Sequence, residues 1–395
     1  MKRKDTFFGL HFDYHANEST VNIGRYFSKE VLDKICKEVK PYFIQCDTKC
    51  HPGYASYKTK LGNAAPGMVN DLIVNFREVT KSNHITLYSH YSGVWDMKYC
   101  KEHPEHAEVW PDGNISDRVS LFSPYVDELL IPQMIELAND FGLDGCWIDG
   151  DCWATLRDHS ELAKQAFEKS YGKAFEPGLE KEFAKFQRNK FISYVEHYVT
   201  EIKKAAPDLE ITSNWMNTAY LLDDVTFTDY ISGDLSATNS VDSARYDGRI
   251  MAAFERNWDI MSWGISFPIH YAKSAVQLNQ EAASIITLGG GYQIYNMQDP
   301  ERVVMDEWSI PCWAEVGRFI RERQPYCQYS KLLPDVGVLV SNDANVAEME
   351  WPFNRATPYL NELQGVILSL LDAGKHVSAI LEERLDKTVL EDYSM

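Results

Sequence analysis

The sequence predicts an α/β protein in which a (β/α)8 TIM-type barrel, residues 1–330, precedes a partial Rossmann-like α/β domain, residues 335–395. Short apolar runs alternate with amphipathic segments along the first part of the chain, which indicates repeated βαβ units and a parallel sheet. Eight such runs occur within about 300 residues, which favours a closed barrel over an open sheet. The segment Pro325–Pro334 then precedes a shorter strand and helix pattern.

Each barrel strand is predicted from a short apolar run bounded by turn or helix signals. In chain order these runs are Thr6–Tyr14, Tyr42–Gln45, His84–Tyr88, Cys146–Ile148, Leu209–Ser213, Tyr230–Ser232, Ile260–Trp263 and Tyr292–Tyr295. The helices between them are predicted from apolar residues at helical spacing. They are Lys29–Lys40 with Ser28 as N-cap, Pro66–Lys81, Ile131–Phe141 ended by Gly142, one or two helices within Leu162–Ala206, and Ala275–Leu288.

The second domain is predicted from two apolar strands, Val336–Val340 and Val377–Ile380, with the helix Pro358–Leu371 between them. Residues 335–395 are too few for a doubly wound sheet. We therefore expect the second domain to be truncated and the chain to be a fragment of a longer protein.

Composition narrows the class of partner. The formal net charge of −19 makes a nucleic-acid partner unfavourable, so we expect a neutral small-molecule substrate. No run approaches the roughly 20 apolar residues of a membrane span, and the start of the chain lacks a secretory apolar region, which predicts a cytoplasmic protein. The eight cysteines lack zinc-site spacing and are typical of buried thiols.

The carboxyl ends of barrel strands are where active sites lie, and they select the candidate residues. Asp149 directly follows the strand Cys146–Ile148, and Gly150 lets the backbone turn away. Cleavage of a glycoside needs two carboxyl groups, and Asp149 is the strongest candidate for one of them. A carboxylate at this position is also typical of a helix cap or a turn.

Three histidine-containing positions are open to two interpretations. His51 could orient a sugar hydroxyl or could be a structural histidine. His11, Asp13 and His15 share one face of the first strand and are metal-ligand types. Because no other cluster in the sequence clearly converges on them, we predict neither a metal nor a cofactor.

At these residues the sequence resembles the α-L-fucosidases, retaining glycoside hydrolases of the family 29 and 151 types. Residues 48–54 read Thr-Lys-Cys-His-Pro-Gly-Tyr, where the family has Thr-Lys-His-His-Asp-Gly-Phe. Residues 147–150 read Trp-Ile-Asp-Gly and match the end of the family's fourth strand. Residues 8–10 and 87–89 resemble its first and third strands. The resemblance covers roughly residues 6 to 330 and implies that Asp149 is the nucleophile.

The resemblance also implies a general acid/base. Phe254-Glu255 followed by Ser262-Trp263-Gly264 resembles a family pattern in which the Glu has that role, so Glu255 is its candidate and Asp234 the reserve. The implied activity is an exo-acting α-L-fucosidase whose two carboxyl groups lie about 5 to 5.5 Å apart. The candidate substrate-binding residues are His11, Asp13, His51, Tyr88, His90, Trp147, Asn214, Trp215, Asp234 and Trp263.

Three departures from the family pattern leave the sugar open. Cys50 and Pro52 replace a His and an Asp of the family, and Asp13 stands where a first-strand His is expected. The alternatives are an α-galactosidase-like or other α-glycosidase and a non-catalytic sugar-binding barrel. The segment from Val336 resembles the start of the trimerisation-type domain of some β-galactosidases, which implies a homo-oligomer.

Overall fold

The barrel is closed. A computed structural model describes residues 1–218, 225–266, 271–303, 307–353, 357–386 and 393. Its eight barrel strands are β1 Phe8–Asp13, β2 Phe43–Lys49, β3 Thr86–Ser92, β4 Gly145–Asp149, β5 Glu210–Ser213, β6 Ile231–Asp234, β7 Trp258–Ser266 and β8 Gly291–Met297. Neighbouring strands pair in parallel around the ring, and a single bridge between Asn214 and Ser232 joins β5 to β6. Pairing of β8 with β1 completes the predicted (β/α)8 barrel.

The barrel strands alternate with helices that cover the outside. In chain order the helices are α1 Lys29–Val39, α2 Leu72–Ser82, α3 Met97–Glu102, α4 Ile131–Asn139, α5 Glu161–Tyr171, α6 Glu180–Ala205, α7 Ser240–Ala253, α8 Ala275–Ile286 and α9 Ile310–Cys327. The predicted N-cap of α1 is confirmed, because the Ser28 side chain accepts a hydrogen bond from the Val31 backbone N–H.

Several boundaries differ from the predictions. Helix α2 begins at Leu72 rather than Pro66, because Met68 is used in a bridge with Ile23. The segment Leu162–Ala206 forms two helices, and Gly172 ends the first in the left-handed conformation with φ of 66°. Helices α3, α7 and α9 and an antiparallel hairpin, Ala107–Val109 with Ile115–Val119, were not predicted.

A separate two-stranded sheet follows the barrel. Strands β9 Val336–Val340 and β10 Val377–Leu381 pair in parallel and are connected through α10 Asn342–Glu348 and α11 Pro358–Asp372. This unit contacts the barrel at α7, where Arg245 pairs with Asp372 at 2.6 Å. The division of the chain into two domains, the truncation and the oligomeric state stay predictions. None of the helices in the described ranges has the length and apolar character that a membrane crossing requires.

The amino end of the barrel is closed by Arg3. Its guanidinium carbon lies 3.4 Å from the ring centroid of Phe43 and less than 5 Å from those of Tyr88 and Tyr230. Arg3 Nε also donates to Asp259 Oδ2 at 2.7 Å. The lumen is therefore filled at this end, and the rule for this fold places the active site at the carboxyl ends of the strands.

Candidate active site

Asp149 is the last residue of β4 and lies at the carboxyl end of the barrel. The next residue, Gly150, has φ of +55°, which favours glycine. A Cβ atom there would lie 3.0 Å from Ser92 Oγ and 3.1 Å from the His51 ring. The glycine thus permits both the turn and the close approach of His51.

Both carboxylate oxygens of Asp149 are surrounded by nitrogen atoms. Trp153 Nε1 and Asn214 Nδ2 donate to Oδ1 at 3.0 and 2.7 Å. His90 Nε2 and His51 Nε2 lie 3.3 and 3.4 Å from Oδ2. Asp149 is only 9% exposed, so these contacts replace most of its hydration and fix the carboxylate plane.

A second carboxylate, Asp13, lies behind His90. His90 Nδ1 is 3.5 Å from Asp13 Oδ1, while His15 Nε2 and the Tyr295 hydroxyl contact Asp13 Oδ2 at 2.6 and 2.7 Å. All four side chains come from the ends of β1, β3 and β8 or from the residues directly after them. Because the strands are parallel, their carboxyl ends gather these groups at one edge.

The histidines and carboxylates shift each other's pKa values. Burial alone would raise the pKa of Asp149, but the hydrogen bonds and charges of His51 and His90 outweigh it and hold this pKa well below the usual range. Burial alone would lower the pKa of His90, but Asp13 and Asp149 raise it well above the ordinary value. Burial lowers the pKa of His51 despite Asp149. Asp149 is therefore an anion at neutral pH.

Aromatic rings line one side of Asp149. His51 stacks on Trp95 with 4.4 Å between ring centroids. Trp153 meets Trp95 and Trp215 at 5.5 and 5.6 Å. On another side, Trp263 packs on Tyr295 at 4.6 Å. These half-buried rings offer apolar faces of the kind that pack against a sugar ring.

The floor of the site is formed by His11 and Trp147, which are both buried. The Trp147 ring lies 5.7 Å from that of His11 and 5.4 Å from that of His90. Donor atoms of His11, Asp13 and His90 lie within 4.8 Å of one another, a spacing that could hold a cation. We assign no ion to this trio, because His90 already lies between two carboxylates.

Most of the predicted site residues are brought together. His11, Asp13, His51, His90, Trp147, Asn214 and Trp215 are connected to Asp149 directly or through one intermediate side chain. Tyr88, predicted to bind substrate, lies away from Asp149. Its hydroxyl donates to Glu210 Oε2 at 2.6 Å, and its ring contacts Arg3 at the amino end of the lumen. Tyr88 precedes His90 by two residues in β3, so its ring lies in the next layer of the lumen toward the amino end.

Glu255 is a second correction. It precedes β7, so it lies at the amino end of that strand, whereas Asp149 lies at the carboxyl end of β4. Its side chain is 78% exposed and pairs with Arg384 of the second α/β unit at 3.1 Å. A residue at that end of the barrel cannot reach a substrate held by Asp149, so the structure rules out the predicted catalytic pairing of the two.

Asp234, the reserve acid, ends β6 at the same edge as Asp149. Burial first raises the pKa of the Tyr295 hydroxyl, and the charges of Asp13, Asp149 and Asp234 raise it further. Asp234 is half-buried rather than enclosed.

Two other carboxyl groups near the site are less suitable as acids. Asp47 has a pKa raised to about 7, first by burial and then by Asp13, but it is completely buried. Asp151 also has a pKa raised to about 7 by burial, and it accepts hydrogen bonds from Tyr198 and Ser213 outside the lumen. Neither is placed to protonate a leaving group.

Three side chains of the site were missed by the sequence analysis. Trp153 belongs to the same segment as Asp149, and a count of aromatic residues there could have found it. Trp95 and Tyr295 follow or end strands, which is the same signal that selected His90. They were missed because aromatic residues also fill large cores.

Solved structures of carbohydrate-cleaving enzymes share this fold. An α-L-fucosidase, isoenzyme 2 from Paenibacillus thiaminolyticus, superposes with a TM-score of 0.80 at 17% identity, over 95% of this chain and 58% of that one. A β-galactosidase from Halorubrum lacusprofundi gives 0.69 at 13% identity, over 95% and 66% of the two chains. A GH29 α-L-fucosidase from Bacteroides thetaiotaomicron gives 0.50 at 13% identity, over 80% and 72%.

These identities are low, so the likeness establishes the barrel fold alone. The chain spans 58% of the length of the Paenibacillus enzyme. No protein-family model matches the sequence, and no curated protein matches it either.

Proposed function

We propose that this protein is a retaining glycoside hydrolase that removes a terminal sugar, an α-L-fucosyl unit in the first instance, with Asp149 as nucleophile. The observation that carries the proposal is the environment of Asp149. It is an ionised carboxylate at the carboxyl end of a barrel strand, fixed by donors on Oδ1 and flanked by two histidines at Oδ2. A nucleophile must be both charged and oriented, and this site supplies both conditions.

The reaction proceeds in two steps. A carboxylate oxygen of Asp149 forms a bond to the anomeric carbon while the bond to the leaving oxygen breaks, and that oxygen takes a proton from the acid. Water then attacks the same carbon and gives its proton to the now ionised acid, and Asp149 leaves as a carboxylate. Two inversions retain the configuration.

Asp234 is our candidate for the acid. Its position at the end of β6, at the same edge of the barrel as Asp149, supports this role. Such an acid has to stay protonated until the first step.

The shape of the site supports an exo-acting enzyme. Asp149 and His90 are nearly buried, and His11 and Trp147 close the floor beneath them. A closed floor leaves room for the end of a glycan rather than for the middle of a chain. The side chains around it are imidazoles, carboxylates and aromatic rings, which bind hydroxyl groups and apolar sugar faces.

The alternatives are an enzyme that cleaves a different sugar and a barrel that binds sugar without cleaving it. The β-galactosidase structures share the barrel, and an α-galactosidase-like specificity also fits an Asp at this position. Asp13, Cys50 and Pro52 depart from the fucosidase pattern around the sugar. A sugar-binding barrel would need the aromatic wall but not an ionised Asp149.

A panel of aryl glycosides tests the proposal. The α-L-fucoside is compared with the α-L-arabinoside and with the α- and β-D-galactosides, and proton NMR of the first product gives its anomeric configuration. We expect release of the α-anomer of fucose by the wild type. Cleavage of another sugar in the panel would keep the mechanism and change the substrate, whereas inversion of configuration or silence across the panel would contradict the proposal.

A further inference from the structure

His90 lies between two carboxylates. Its Nε2 is 3.3 Å from Asp149 Oδ2, and its Nδ1 is 3.5 Å from Asp13 Oδ1. The side chain is 1% exposed, so bulk water does not screen the charges on the two sides of the ring. Each nitrogen therefore faces an anionic oxygen and no other described partner.

The two carboxylates favour the protonated, cationic form of His90. A neutral imidazole carries one N–H and one lone pair, so one of its nitrogens would direct a lone pair at a carboxylate. An imidazolium is attracted to both carboxylates: Nε2 can donate to Asp149 Oδ2, and the 3.5 Å between Nδ1 and Asp13 Oδ1 is a contact between opposite charges without a hydrogen bond. His51, by contrast, has the Ser92 hydroxyl oxygen at 2.7 Å from its Nδ1, and a hydroxyl can pair with either state of the ring.

Asp13 is held in place independently of Asp149. His15 and the Tyr295 hydroxyl both contact its Oδ2, which leaves Oδ1 toward His90. The ionisable groups that surround His90 from the neighbouring strands are His11, Asp13 and His15 of β1 and the loop after it, Asp47 and His51 of β2 and its loop, and Asp149 of β4.

We propose that Asp13 and His90 form a fixed ion pair that orients Asp149 and keeps it ionised, so that His90 is a positioning residue of the nucleophile. This inference rests on the proposed function and deepens it. Asp13 acts through His90 and is not a ligand of a sugar hydroxyl. The carboxylate of Asp13 stabilises His90 as a cation from the side opposite Asp149.

The pair also fits the chemistry of the first step. When Asp149 becomes an ester it loses its charge, and His90 keeps Asp13 as its partner. The cation is therefore never left unpaired in the buried site, and Asp149 returns to the same contacts when water releases the sugar.

The pH dependence of kcat/KM tests the pair. Removal of a cation beside Asp149 raises the pKa of that carboxylate, so the acid limb of the profile moves to higher pH. We expect a shift of about 1 pH unit or more in His90→Asn and a smaller shift in the same direction in Asp13→Asn. His197→Gln is the matched control, because His197 is an exposed histidine of α6 that pairs with Asp127, and its acid limb stays in place.

NMR of the wild type, selectively labelled with 15N-histidine, reads the charge on His90 without requiring turnover. We expect both of its nitrogens at imidazolium shifts from pH 5 to pH 8, with the resonances assigned by their loss in His90→Asn. Titration near the ordinary histidine pKa of about 6.5 would overturn the pair, and an unmoved acid limb in a folded His90→Asn would overturn its action on Asp149. If His90 stays an imidazolium but the protein cleaves no glycoside, the ion pair is supported and the role of Asp149 as nucleophile is contradicted. The failure of one proposal can therefore be told from the failure of the other.

Discussion

The two ends of the barrel bury charge in different ways. At the amino end, Arg3 lies among aromatic rings and pairs with Asp259, while Glu210 accepts from the Arg3 backbone N–H and from Tyr88. At the carboxyl end, several anions and imidazoles gather around Asp149, and His11 Nε2 has no hydrogen-bond partner among the described residues. Arg3 Nη1 and Nη2 at the first end also lack a hydrogen-bond partner among the described residues, so the two ends differ in the groups they gather and not in how fully these are paired. Only the carboxyl end brings imidazoles and carboxylates together at the strand ends where this fold places its active sites.

The largest effect is expected from Asp149→Asn at the carboxyl end. The amide keeps an acceptor for Asn214 and Trp153 but cannot attack an anomeric carbon. We expect kcat to fall on the order of 10⁴-fold or more, as for loss of a nucleophile, with an unchanged far-UV spectrum. Activity within tenfold of the wild type in a folded variant would remove Asp149 from the mechanism.

Arg3→Met should have the next largest effect, and on stability rather than rate. It leaves the buried Asp259 with the neutral donors Ser232 and Gln293 only. We expect the free energy of unfolding to fall by about 3–5 kcal/mol, measured by urea denaturation, because one member of a buried pair is lost. Lys4→Met removes an exposed cation next to it and serves as the control. Equal losses in the two variants would contradict the special role of Arg3.

Asp151 gives a smaller and pH-dependent effect. Its folded-state pKa is raised from 3.8 to about 7 by burial, so folding favours the protonated form. This contribution is present below pH 4 and is lost as the pH rises toward 7. Between pH 4 and pH 7 the free energy of unfolding should decrease by about 2 kcal/mol less in Asp151→Asn than in the wild type. Urea denaturation at several pH values measures this. An equal change with pH in the free energy of unfolding of wild type and variant would show that Asp151 does not titrate there.

Glu255→Gln should have the smallest effect. The side chain is exposed, and its pairing with Arg384 is screened by solvent. We expect the free energy of unfolding to change by less than about 0.5 kcal/mol and kcat/KM to be retained. A loss of rate comparable with that of Asp149→Asn would mean that Glu255 can reach the carboxyl end after all.

The barrel could be predicted from sequence because its signals are local. Apolar runs mark the eight strands, and Ser28 marks the start of α1. The start of α2 could not be predicted, because Met68 pairs with Ile23, a contact between distant segments. Helix α7 was missed because its sequence has few large apolar residues and many small and charged ones.

The site was predictable to the extent that position at a strand end decides it. Asp149, His90 and Asn214 follow from that rule. The depth of Tyr88 and the side of Glu255 could not be predicted in this way, because one residue of displacement along a strand or one misplaced strand start transfers a side chain to another layer or to the opposite face. The resemblance that suggested Glu255 rested on the residue types of Phe254-Glu255 and Ser262-Trp263-Gly264, which do not fix the end of the strand at which Glu255 lies.

The order of pairing also bears on how the chain folds. The ring closes when Phe8 in β1 pairs with Tyr292 in β8, and Arg3 reaches its partner Asp259 from a similar separation along the chain. Contacts between such distant residues require closure of a very long loop and are typical of slow folding. Strand β1, although synthesised before the other barrel strands, therefore keeps one edge unpaired until β8 is synthesised.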